Sequence, residues 1–208
     1  MRGARRRLSS LAAIPFRDVA SIVRYGRHAP RWGRRIWVPP AACTGWIRGF
    51  PSVQSGRVIA GDWDLEVERT IDHPDVAAAV AHWRDGISWE QAGVYARLAR
   101  RIAAYGGVRD GCLTHDDIVA RFDDLDRMFE QVKREQQLRS SADFRRWCIW
   151  ERDGVLVHID RHGTPHFGGR GCHRLAAAWV ADLPCIPAQL GVVHPDGLRH
   201  LPRYMTST

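Results

Sequence analysis

Between His73 and Ser140 the apolar residues of this chain recur at helical spacing, and from Phe144 onward the pattern becomes strand, turn, strand. That change of period constrains the fold more than any other feature of the 208 residues. A block of helices followed by a run of strands predicts an α+β protein. Within the block, His73-Pro74-Asp75 opens a first helix, "DVAAAVAHWRDG". Ser88-Trp89-Glu90-Gln91 is the expected start of a second, which ends at Gly106-Gly107. Thr114 with Asp117 matches the looser capping-box pattern and opens a third. There Ile118, Phe122, Leu125, Met128, Phe129 and Val132 form one stripe, which reads as core rather than as a cofactor surface. Residues 73–140 thus predict a helical hairpin or three-helix insert.

Strand signals flank the block. "RIWVPP" reads as a short strand stopped by Pro39-Pro40. In "RVIAGDWDLEVERT" the acids Asp62, Asp64, Glu66 and Glu68 alternate with Trp63, Leu65 and Val67, as on the two faces of a strand. The acidic face has two readings. It can be a solvated surface, or Asp62 and Asp64, beside Gly61, can enter a cleft as a catalytic base or as Mg²⁺ ligands. Beyond Phe144, "WCIWERDGVLVHIDRHGTPHFGGRG" predicts strands with turns at Asp153-Gly154 and Arg161-His162-Gly163. The helix "CHRLAAAWVADL" and the strand "CIPAQLGVVH" follow. His158, His162, His166 and Asp160 fall close together, but His162 sits in a turn and the spacing fits no zinc pattern. His166, just before the glycines, is placed to touch a phosphate. Trp37, Trp63, Trp89 and Trp179 are expected in the core, with Trp147 and Trp150 over a strand edge.

The net charge is +8, and Lys133 is the single lysine. An excess of arginine is consistent with a nucleic-acid or anionic-membrane partner, and equally with a GC-rich coding bias. Cys43, Cys112, Cys148, Cys172 and Cys185 are scattered and odd in number, with no Cys-x-x-Cys. This argues against a zinc ribbon or a secreted disulfide framework and fits a reducing cytoplasm. No apolar run approaches the ~18–20 residues of a membrane span. Residues 1–35 form a basic segment. After Arg5-Arg6-Arg7, Phe16, Val19, Ile22 and Val23 recur at helical spacing from Pro15, with arginines between them. Such a helix, within residues 1–30, either packs on the domain or lies on an anionic membrane surface.

The glycine cluster that runs into Cys172-His173-Arg174 carries the most chemistry. A glycine loop after a strand lets the chain turn tightly into a helix whose first N–H groups, at the positive end of its dipole, form an anion site. His173 and Arg174 add charge-assisted donors, and Cys172 gains thiolate character from the helix start. Phosphate is the natural guest.

Gly171-Cys172-His173-Arg174, the alanine-rich helix and Ile186-Pro187-Ala188 together resemble the signature of the ParB/sulfiredoxin superfamily. Sulfiredoxins carry Phe-Gly-Gly-Cys-His-Arg at this place, ParB nucleotide-binding domains carry Gly-Glu-Arg-Arg, and the ADP-dependent free serine kinase carries Asp-Gly-His-His-Arg. Phe167-Gly168-Gly169 and Cys172-His173-Arg174 match the sulfiredoxin pattern, with Arg170-Gly171 inserted between them. The similarity covers about residues 153–194 and extends weakly to "RYGRHAPRWGRRIWVPP" and "GDWD". It implies one α+β domain of the ParB/sulfiredoxin kind over 36–208, a mixed sheet with packed helices, with 73–140 as a helical insert. It also implies that Gly168, Gly169, Gly171, Cys172, His173 and Arg174 bind the phosphates of a nucleotide, ATP or ADP with Mg²⁺. The first functional reading is a kinase-type phosphotransferase acting on an unidentified hydroxyl acceptor, with Asp62, Asp64 and His173 as catalytic residues and Asp62 and Asp64 also holding the metal. The second is a ParB-like nucleotide switch or DNA-associated protein, against which stands the lack of a recognisable helix-turn-helix. The third is a sulfiredoxin-like reductase using Cys172; the inserted pair makes this cysteine an occupant of the loop rather than a nucleophile.

Overall fold

The computed structural model describes residues 14–107, 111–144, 150–151 and 154–206, and over them the chain is α+β, with six helices and a six-stranded mixed sheet. Arg5-Arg6-Arg7, Trp147, Cys148 and Asp153, singled out above, lie outside the described residues. The chain forms two compact units. A sheet unit comprises Met1–Thr70, Arg139–Gly171 and Pro184–Thr208; a helical unit comprises Ile71–Leu138 and Cys172–Leu183.

The sheet unit contains helix α1 (Ile14–Tyr25), strands β1 (Arg35–Val38), β2 (Gly45–Trp46), β3 (Glu68–Arg69), β4 (Val155–Ile159), β5 (Pro165–Phe167) and β6 (Ile186–Val193), and the one-turn helix α5 (Ser141–Phe144). Strand order is β1-β6-β4-β5-β2-β3. All eight residues of β6 are buried, as befits a strand paired on both sides, antiparallel to β1 and parallel to β4. The predicted strand "CIPAQLGVVH" is therefore an inner strand of the sheet. Where β4 meets β6 the register slips between Val157 and Ile159. There the Val192 N–H donates to Nδ1 of the buried His158 at 3.0 Å, so a side chain supplies the acceptor that the ladder lacks.

The long strand expected around "GDWDLEVE" does not form. Residues 61–66 are turns and only Glu68–Arg69 pairs, with β2. Gly61 adopts φ +101°, and the Leu65 N–H donates to the Asp62 carbonyl at 3.1 Å, which breaks the extended run at its acids. Of the tryptophans expected in the core, Trp89 is buried, while Trp37, Trp63 and Trp179 are half-buried; Trp150, expected over a strand edge, is exposed.

The helical unit holds α2 (Pro74–Asp85), α3 (Val94–Tyr105), α4 (His115–Glu135) and α6 (Cys172–Val180). The end signals are chemically explicit. Pro74 takes the first turn of α2, and Gly86, at φ +74°, closes it with its N–H on the His82 carbonyl. Thr114 and Asp117 form the reciprocal capping box of α4. The second helix begins at Val94, not Ser88. Ser88 and Gln91 cap one another in a single turn, and Gly93 at φ +72° resets the direction before α3 starts. Ile118, Phe122, Leu125, Phe129 and Val132 of the α4 stripe are buried. Phe122 sits 4.7 Å from Trp89, and Phe129 stacks on Trp83 at 4.7 Å. Small residues let α6 lie closely along α2: Ala78 and Ala79 are buried on one helix, Ala176, Ala177 and Ala178 on the other.

Candidate functional site

The stretch from Gly168 to Arg174 leaves the sheet unit and enters the helical one, and each half is anchored in its own unit. On the sheet side the loop continues the pairing of β4. The Gly168 N–H donates to the Leu156 carbonyl at 2.7 Å, and the Leu156 N–H donates to Arg170 at 3.0 Å. Gly169 and Gly171 adopt φ +78° and +79°. A Cβ on Gly171 would stand 2.8 Å from the Val155 Cα, and one on Gly168 would stand 2.7 Å from His158 Nε2. The sequence spends glycine here because the backbone turns left-handed against its neighbouring strand.

On the helical side, Cys172 is the first residue of α6. His73 stands beside it. As N-cap of α2, His73 accepts the Asp75 N–H through Nδ1 at 3.2 Å, which leaves the ring proton on Nε2, and Nε2 lies 3.8 Å from Cys172 Sγ. Ligand atoms of His73, Asp75 and Cys172 lie within 4.8 Å of one another, and the Asp75 carboxylate also pairs with Arg97. Sequence reasoning missed this cluster. "HPD" signalled a helix start, and nothing local tied it to a cysteine 99 positions later. His173 points its ring edge-on to Phe122 (5.7 Å) and Trp89 (6.3 Å), and Arg174 is half-buried on the first turn.

Asp62 and Asp64 belong to a different arrangement. Arg161, in the β4–β5 turn, donates its backbone N–H (3.0 Å) and Nε (2.8 Å) to Asp64 Oδ2, and its Nη2 to Asp64 Oδ1 (2.6 Å) and to Asp62 Oδ1 (2.8 Å). The Asp64 side chain is 1% exposed, and its hydrogen bonds from Arg161 hold the carboxyl well below the usual carboxylate range. A carboxylate so stabilised is a poor base. With a guanidinium seated on both acids, they do not fit a Mg²⁺ ion.

The histidines near these turns are structural in their contacts. Burial pushes the His158 imidazole down to about 3, so the ring stays neutral, edge-on to Phe50 at 5.4 Å. His166 Nε2 meets Asp160 Oδ2 at 3.0 Å, and Asp160 Oδ1 accepts the N–H groups of His162 (2.9 Å) and Thr164 (2.6 Å), shaping the turn. Burial also pushes the Cys43 thiol up to about 12, which leaves it inert, whereas Cys172 is partly exposed. Comparison of the chain with protein-family models, with curated proteins and with solved structures finds no match.

Proposed function

We propose that this protein binds a nucleotide through its phosphates at the start of α6, the role that the resemblance to the ParB/sulfiredoxin superfamily implies for Gly171, Cys172, His173 and Arg174. One observation carries the reading: α6 begins at Cys172, directly after the left-handed Gly171, so the backbone turns into the helix at the residue the resemblance assigns to phosphate. Of the activities the resemblance implies, a kinase-type transfer from ATP or ADP needs a base for the acceptor hydroxyl. Asp62 and Asp64 are engaged by Arg161, and His73 carries its proton on the nitrogen facing Cys172. That pattern favours nucleotide-controlled binding, with DNA among the partners to be tried, over phosphoryl transfer.

Calorimetric titration with ATP, ADP and CTP, each with and without Mg²⁺, tests this beside an Arg174→Ala control. Micromolar binding that the control loses is the expected result. Absence of binding by all three nucleotides would sink the proposal, and turnover of a bound nucleotide would return the phosphotransferase to first place.

The His73–Cys172 pair favours a second reading, thiol chemistry at Cys172. A hydrogen bond from Nε2–H and the positive end of α6 both stabilise a thiolate. Alkylation by iodoacetamide should then be faster at Cys172 than at any other cysteine and should slow in His73→Ala. Equal rates in the two proteins would discard it.

A further inference from the structure

Helix α1 docks through its polar side. Arg17 donates to the carbonyls of Val53 (3.3 Å) and Ser55 (2.8 Å), Asp18 accepts the Trp32 N–H at 3.1 Å, and Ser21 Oγ donates to the Pro30 carbonyl at 2.6 Å. Ile14 is buried on the same side. The apolar side faces away. Phe16, Val19 and Val23, three and four residues apart, share the opposite face, where they are 80%, 61% and 83% exposed, with Ile22 at their edge. The face is continuous, because Ala20, between Phe16 and Val23 on the helix surface, is exposed as well.

Its electrostatic frame is of one sign. Asp18 is the only acidic residue before Asp62, and it is turned to the docked side against Trp32 and Arg17. Arg24 and Arg27 are exposed at the end of the helix, and Arg2, Arg5, Arg6 and Arg7 precede it in the sequence. An apolar stripe with cations at its flanks and no acid suits a surface that is oily beneath and anionic above. At 12 residues the helix is about 18 Å long, too short for the ~30 Å hydrocarbon core, and no helix among the described residues is long and apolar enough to cross a membrane. It would therefore lie along the interface. We infer that the outward face of α1 is a docking surface for an anionic lipid bilayer, entered by Phe16, Val19 and Val23 and steered by the arginines around them.

Co-sedimentation of the full chain with phosphatidylcholine vesicles, with and without phosphatidylserine, tests the inference. Binding is expected on the anionic vesicles and not on the neutral ones, and it should fall as salt rises. The Val19→Asp/Val23→Asp variant should lower the bound fraction at least about tenfold while keeping the wild-type circular dichroism spectrum. Arg24→Glu/Arg27→Glu, which leaves the stripe intact, should weaken binding several-fold and flatten its salt dependence. The inference fails if the wild-type chain ignores anionic vesicles or if the Asp variant binds them unchanged. It fails as well if light scattering finds a dimer that this variant splits, since the face would then belong to a second copy of the chain.

Discussion

Helices α1 and α4 carry the same kind of pattern and use it in opposite senses. In α4 the stripe Ile118, Phe122, Leu125, Phe129 and Val132 is buried, and the charged side meets water. In α1 the stripe Phe16, Val19 and Val23 meets water, while Arg17, Asp18 and Ser21 make the contacts to the rest of the sheet unit. Helical periodicity therefore fixes which residues share a face and leaves open which face turns inward. The difference lies in the partners on offer. Trp89, Tyr95 and Trp83 present rings to α4, whereas the backbone at Pro30, Trp32, Val53 and Ser55 presents carbonyls and an N–H to α1.

If that contrast is correct, equivalent substitutions should have unequal effects. Phe122→Ala should destabilise the protein by about 3–5 kcal/mol in denaturant unfolding, because it opens a cavity among Trp89, Tyr95 and His173. A loss under 1 kcal/mol would mean that α4 is not the core element described. Ser55→Ala should cost about 2 kcal/mol. The hydroxyl donates to the Leu190 carbonyl (2.5 Å) and accepts the Gly33 N–H (2.9 Å), and both groups are buried beside the carbonyl that holds Arg17. Hydrogen exchange should report loosening of α1 in this variant and unchanged protection in α4.

Smaller effects sharpen the comparison at its edges. Thr114→Ala removes the side-chain half of the α4 cap and should cost about 1 kcal/mol. Its amide signature should be confined to the first turn, Leu113 to Asp117. Val23→Ser, in the exposed stripe, should change stability by less than about 0.5 kcal/mol. A large loss there would mean that the stripe is packed after all.

The α+β class was legible in the change of period, and α4 could be read almost entire, since its capping box and its stripe are both local signals. The buried run of β6 was equally plain. The acidic segment misled because alternation over Asp62–Glu68 looks the same in a strand and in a turn. Gly61 at φ +101° and the distant Arg161 decided between them, and neither shows in a short window. Ser88 was a genuine cap of the wrong element, cut off by Gly93. In the candidate site, the glycines and the start of α6 at Cys172 could be found from the motif. His73 could not, because its tie to Cys172 is made by the packing of α2 against α6.

The composition of the helical unit also bears on the order of synthesis. Its α2 lies along α6, yet residues 139–171 between them belong to the sheet unit. A chain emerging from its N-terminus therefore presents the alanine face of α2 to solvent until Cys172–Leu183 has been made. The sheet in turn cannot place β6, between β1 and β4, until the chain has returned through Ile186–Val193. Neither unit can be excised as a single continuous fragment, and each completes its core only when the last quarter of the polypeptide has arrived.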